Sequence, residues 1–273
     1  MEERDVSAEA LKGLHYHHGF DKPLYVQYGK FLQGLITGKM QSSLRYEGRT
    51  TIDILKQSFP ISALLGGAAL ISSIVWGILL GSIAAIFRGK WPDYLVTIVT
   101  VLGISIPSFV LAPLLQLVFS FHLKWFPIAR LSSYKHAILP ILSLSASPTA
   151  FMIKLIKSNM LEILHKDYIL TARSKGLSGL SIWKNHLIKN SLLPAFSYIG
   201  YIMVNLLTGS FAVEKTFGIP GLGFWLVNSI ICRDYPIIMG LTLFYSTLLI
   251  IVIFLFDILY IFLDPRIKNA LIH

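Results

Sequence analysis

The chain has 273 residues, 54% hydrophobic and only 14% charged, with a mean hydropathy of +0.66. An average soluble domain carries roughly 25% charged residues, so this apolar surplus has to face something other than water. The net charge of +10 raises the question of a polyanionic partner, while the single cysteine, Cys232, excludes an intrachain disulfide and any multi-cysteine metal site.

Residues 1–58 hold eight basic and seven acidic groups and no apolar run of signal-peptide length. His15, His17 and His18 fall within four residues. Three imidazoles so placed cannot all face one ion on a regular helix, and no fourth ligand stands nearby, so no metal site is expected. The stretch from Lys22 to Lys39 mixes aromatics with glycine and reads as a helix lying on a membrane surface.

Five apolar runs follow, at 61–87, 95–121, 137–156, 195–213 and 237–263. About 20 residues suffice for a helix to cross a hydrocarbon core, so these are five expected membrane spans and the fold class is all-α, polytopic. The first two carry no charge, the third is broken by proline and serine, and the fifth holds one acid, Asp257. Gly77 and Gly81 form a small-xxx-small pair that permits close helix contact. Pro107 and Pro113 interrupt the second run, and Pro140 and Pro148 the third. Such breaks suit a helix that lines a path or must bend. Ser105, Pro107 and Ser108 in the second run and Asn205 in the fourth are therefore the candidates for a translocation path.

No row of acids runs through the spans, which argues against an ion-coupled secondary carrier. Nor is there a G-x-x-x-x-G-K-[ST] loop, an H-E-x-x-H or a G-x-S-x-G, and GIPGLG at 218–223 is not a phosphate-binding loop. The chain offers no catalytic residues, cofactor site or metal site, so if transport is its task, the energy comes from a partner. The connections at 88–94 and 154–194 and the tail beyond 263 together hold eleven Lys and Arg, against five in 122–136 and 214–235. The richer side is assigned to the cytoplasm, C-terminus included, so the basic excess reports topology and makes no case for nucleic acid. Five spans then put residues 1–58 outside, although nothing in them would start their own export. A further helix upstream of Met1 is the simplest expectation that removes the conflict.

The polar stretch TARSKGLSGLSIWKNHLIKNSLLP, 171–194, stands apart. The third span is expected to continue as a helix through Thr171, ending with Arg173 and Lys175 in its last turn and Gly176 as its left-handed cap. Ser178 can cap a short second helix with Leu180, Trp183 and Leu187 on one face, closed by Pro194. By pattern alone, such an amphipathic helix lies on lipid or sits in a partner's groove.

TARSKGL, followed by His186, Asn190 and Leu193-Pro194, resembles the cytoplasmic loop of binding-protein-dependent ABC transporter permeases, in the dipeptide, oligopeptide and nickel subgroup. GISIPSFVLA (103–112), KDYILTARSKGL (166–177), EKTFGIPGLG (214–223), RDYPIIMGL (233–241) and LDPRIK (263–268) agree, as does DKPLYVQYGKFLQGLITGK (21–39). The pattern is most similar to B-type oligopeptide permease subunits. Leu170 replaces the glutamate that opens the general family motif, and its Ile-x-Leu-Pro is absent at the usual distance, as in the peptide subgroup. Six membrane helices are usual in that family, so the resemblance too implies a first helix ahead of this chain. It divides the chain into an extracytoplasmic segment, 1–58, and a transmembrane domain, 59–273, with a cytoplasmic coupling loop at 157–194.

The resemblance implies a permease of the bacterial cytoplasmic (inner) membrane, paired with a second permease subunit, two cytoplasmic ATPases and an extracytoplasmic peptide-binding protein. ATPase coupling would then rest on Thr171, Ala172, Arg173, Lys175, Gly176 and Leu177, with Leu180, Trp183 and His186 on the short helix that meets the ATPase. Dipeptides or oligopeptides are the implied cargo, with nickel or another small solute as the alternative.

Overall fold

The structure is a computed structural model and describes residues 22–37, 42–46 and 48–263; His15, His17, His18 and the end of the LDPRIK motif lie outside them. Regular structure among the described residues is helical: α1 (Leu24–Thr37), α2 (Thr51–Ile86), α3 (Trp91–Ser105), α4 (Ser108–Leu115), α5 (Tyr134–Leu164), α6 (Asp167–Ser174), α7 (Gly179–Ile182), α8 (Lys189–Leu207), α9 (Phe211–Thr216), α10 (Leu222–Ile231) and α11 (Tyr235–Leu263). Two π-helical stretches, Gln116–His122 and Trp183–Ile188, extend α4 and join α7 to α8. Among the described residues three helices, α2, α5 and α11, are long and apolar enough to cross a membrane singly, or up to five if each of two bent pairs is one span.

The central element is α2. A capping box starts it: Thr50 Oγ1 accepts from Asp53 N at 3.3 Å, and Asp53 Oδ2 accepts from Thr50 N at 3.0 Å. Small residues then recur on its buried side, among them Ser62, Gly66, Ala69, Ser73, Gly77, Gly81 and Ala85. This spacing of three and four draws one stripe along a helix. A Cβ at Gly77 would overlap the Met152 side chain of α5, and one at Gly81 would lie 2.9 Å from Ile156 Cβ. The Gly-xxx-Gly pair thus sits in the α2–α5 seam, as a close-approach motif should. One turn after another along α2, Gly66 approaches the Leu206 carbonyl of α8 in the same way. Several buried serines of these helices donate back to their own turns, Ser73 to Ala69 O at 2.7 Å and Ser143 to Leu139 O at 2.8 Å, so these hydroxyls leave the seams apolar.

Two sequence expectations change. The run 95–121 is not one span-like rod: α3 and α4 meet at 109° across Ile106 and Pro107. Pro107 has no N–H to continue the ladder and disfavours helical backbone at Ile106, whose ψ is 112°. Conversely, Pro140 and Pro148 do not break α5, which runs through both. Its partners hold it in place along its length, with Leu139, Leu144, Met152 and Ile156 buried against neighbouring helices.

Replacing Gly77 with leucine is expected to force α2 from α5 and to cost about 1–3 kcal/mol through overpacking. Gly67, next to Gly66 on α2 but with open space where a Cβ would stand, should accept alanine with a gain of about 0.5–1 kcal/mol in helix stability. Thermal unfolding of both variants in one detergent measures the contrast, and equal loss at both positions would contradict the seam.

Candidate functional site

The joint between α5 and α8 is built from three short pieces. Helix α5 ends at His165, and α6 restarts at Asp167 rather than continuing the same rod. At the end of α6, Gly176 N donates to Arg173 O at 2.9 Å and Leu177 N to Ala172 O at 3.2 Å. These two bonds form a Schellman cap, with Gly176 at φ +77° in the left-handed region that glycine enters without a Cβ penalty. Ser178 Oγ then accepts from Ser181 N at 3.3 Å and starts α7. Beyond α7 the π-helical stretch continues into α8, and Pro194, expected to close the short helix, instead marks a 47° bend within continuing helix.

The short helix does not present one apolar face outward. Leu187 is 3% exposed and Ile182 is buried, packed with Ile169, Ala172, Ile156 and Met160, and Trp183 leans on the same cluster. Leu180, by contrast, is 72% exposed. The expected stripe of Leu180, Trp183 and Leu187 is therefore divided, two residues anchoring the joint to α5 and one projecting. Thr171 and every residue from Arg173 to Leu180 are exposed, and among them Ala172 alone turns in. Asn190 Nδ2 donates to Tyr168 Oη at 3.0 Å, and the His186 ring stands 6.3 Å from that of Tyr168, tying the far side of the joint to α6. The result is an exposed ridge, 173–180, bearing Arg173 and Lys175 and held from behind by apolar packing.

Sequence reasoning missed the polar connections that brace this unit. Asp93, near the start of α3, pairs with Lys157 of α5 and accepts from Gly89 N at 3.0 Å. Asn159 Nδ2 donates to Ser191 O at 3.1 Å, linking α5 to α8. At the other end of the molecule, Ser62 Oγ donates to Glu214 Oε1 and accepts from Leu222 N, both at 2.8 Å, while Phe224 N donates to Glu214 Oε2 at 2.8 Å. Burial pushes the Glu214 carboxyl above the ordinary carboxylate range, against the opposing pull of its hydrogen bonds from Phe224, Ser62 and Gly223. Asp234, also buried, accepts from Ser43 Oγ and from Leu44 N at 3.1 Å, and docks the segment before α2 onto the α10–α11 turn. Glu214 and Asp234 both lie in motifs singled out from the sequence, but their distant partners, Ser62 for the first and Ser43 and Leu44 for the second, carry no signal of their own.

The path candidates are not gathered at one place. Ser105 and Pro107 are exposed and Ser108 half-buried at the α3–α4 corner. Asn205, with its amide donating to Tyr201 O at 3.1 Å, lines a separate cavity of about 400 Å³ with Thr208, Tyr245 and Ser246. Among the described residues no group of three or more His, Cys, Asp or Glu could hold a metal ion.

Residues 77–269 match the family of binding-protein-dependent transport system inner membrane components. The dipeptide transport system permease protein DppB of Bacillus subtilis (strain 168) is 43% identical over 267 residues, covering 98% of this chain and 87% of the relative. The oligopeptide transport system permease protein OppB of Escherichia coli (strain K12) is 36% identical over 269 residues, with 97% and 88% covered. Among solved structures, an inward-facing form of the MetNI methionine ABC transporter superposes with a TM-score of 0.65 at 16% identity, over 77% of this chain and 96% of the other.

Removing the Glu214 side chain with alanine orphans the Phe224 N–H, an expected loss of about 1–3 kcal/mol. Glutamine keeps an acceptor there but cannot ionise. Because the folded carboxyl titrates above its ordinary value of 4.5, its contribution is complete below that value and is lost as pH rises through the folded one. The wild type should therefore gain stability relative to Glu214→Gln on acidification, measured as the difference in Tm across pH; a flat difference would contradict the buried carboxyl.

Proposed function

The chain belongs to the family of binding-protein-dependent transport system inner membrane components, and from that membership we infer that it is a permease subunit of an ATP-driven importer of dipeptides or oligopeptides. The peptide cargo rests on the DppB and OppB relatives, which favour it over nickel. A second permease completes the passage, two ATPases dock on the cytoplasmic face, and an extracytoplasmic binding protein delivers the peptide. Hydrolysis belongs to the ATPases, and this chain converts their motion into a change of the passage.

The observation that carries the coupling role is the division of the joint into an exposed ridge and a buried root. An ATPase that closes on the ridge at 173–180 pushes on Leu177 and Leu180, while Ile169, Ala172, Ile182 and Leu187 transmit the displacement to α5. Packed interiors have low compressibility, so the push moves the helix rather than deforming the contact. Thr171, Arg173 and Lys175 belong to the contact surface in this reading. Trp183 and His186 face the protein's own helices and act as supports, a narrower role than contact with the ATPase. The cytoplasmic placement of the joint and of the C-terminus follows from the Lys and Arg distribution. Such a relay needs two states of the passage that nucleotide binding in the partner biases.

Gly176→Val puts a β-branched residue at φ +77° and is expected to strain the cap by about 1 kcal/mol or more. The ridge is then misplaced. Peptide-stimulated ATPase activity of the reconstituted complex should fall while the subunits still co-purify, and unchanged stimulation would contradict the lever. Deleting 171–186 should abolish co-purification with the ATPases in detergent; retention would place their docking elsewhere.

A further inference from the structure

A cavity of about 520 Å³ lies between the last turns of α2 and the joint. Leu79, Ile83 and Ile86 form its α2 wall, and Leu180 and Trp183 face them. Arg173 is the one ionisable side chain that lines it, and the guanidinium has no ion pair among the described residues. The Trp183 indole N–H is buried and has no acceptor among them either. Apolar walls hold water poorly, and an orphaned buried donor is an unfavourable feature that a ligand oxygen can satisfy. An occupant suited to all three features combines hydrocarbon, an acceptor oxygen and a negative charge.

We propose that this cavity binds an anionic phospholipid, with an acyl chain against α2, an ester carbonyl as acceptor for Trp183 and the phosphate on Arg173. Charge and position both support lipid over a protein partner. The α2 wall is the end of a helix long and apolar enough to cross a membrane, its residues are exposed on the protein surface, and Arg88 and Lys90 follow immediately. A basic collar at the end of an apolar helix is where anionic headgroups collect. Seated there, the lipid wedges between α2 and the joint, so that the stiffness of the relay depends on the anionic lipid content of the surrounding leaflet. The identity of that leaflet as cytoplasmic rests on the topology inferred above; the binding itself does not.

The test is native mass spectrometry of the full-length protein, purified with the subunits that accompany it and titrated with palmitoyl-oleoyl phosphatidylglycerol or phosphatidylcholine. The wild type should retain phosphatidylglycerol in preference. Ile83→Trp, which fills the cavity, should lose it; Leu79→Trp serves the same purpose if the first variant fails to fold, judged by its Tm. Arg173→Gln should keep the lipid but reduce the preference by about three- to fivefold, the scale of one partly screened ion pair. Equal retention of the two lipids by the wild type, or full retention by a folded cavity-filling variant, overturns the proposal. So does absence of the lipid from complexes that carry the ATPases when the protein stripped of them retains it, which would give the cavity to a protein side chain. Lipid retention is read without ATP or peptide, so its failure is separable from a failure of the transport reading.

Discussion

The described helices are organised around the contact of Gly77 and Gly81 with Met152 and Ile156. A helix that lacks Cβ atoms at the seam lets its partner approach more closely than leucine-lined helices do, and dispersion over that surface is what holds apolar helices together where lipid is as apolar as they are. The seam makes α2 and α5 one body. Gly66 extends the same device to α8, so the helix on the far side of the joint is held by α2 as well.

The joint inherits its rigidity from that body. Its root residues, Ile169, Ala172, Ile182 and Leu187, are buried in the cluster that contains Met152 and Ile156, the residues that meet the glycines of α2. A force applied to the exposed ridge therefore reaches the seam through side chains already in van der Waals contact. Polar nodes brace the body at both ends. The Asp93–Lys157 pair fixes the α2–α3 turn to α5 near the joint, and the Ser62–Glu214 node fixes the loop before α10 to α2 at the opposite end. Their cost in desolvation is offset by satisfied hydrogen bonds, and breaking one partner leaves the other buried and unpaired.

Hydropathy made the long helices legible, because α2, α5 and α11 are apolar over lengths that few other structures need. The Gly176 cap and Ser178 start were legible for the same local reason, since a helix end is written in the residues that terminate it. What failed was direction. Pro107 turns a helix by 109° whereas Pro140 and Pro148 leave α5 continuous, and the difference lies in neighbours that close or leave open the freed backbone, which the local sequence does not contain. The spacing of Leu180, Trp183 and Leu187 reads as one apolar face, yet Leu180 projects while Leu187 is buried, with a π-helical stretch from Trp183 between them. The pairing of Asp93 with Lys157 was not legible, because nothing local relates two charges that far apart in the chain.

The central claim, that the ridge and the α2–α5 body move together, is tested most directly by a spin-label distance measurement. With Cys232 replaced by serine, labels at Leu177 on the ridge and Trp76 on the exposed side of α2 report across the joint, in a complex that retains peptide-stimulated ATPase activity. An unchanged distance distribution between the nucleotide-free and ATP-bound complex is the predicted result. A distribution that shifts or broadens on ATP binding would mean that the ridge swings on Gly176 independently of the helices, and would contradict the account.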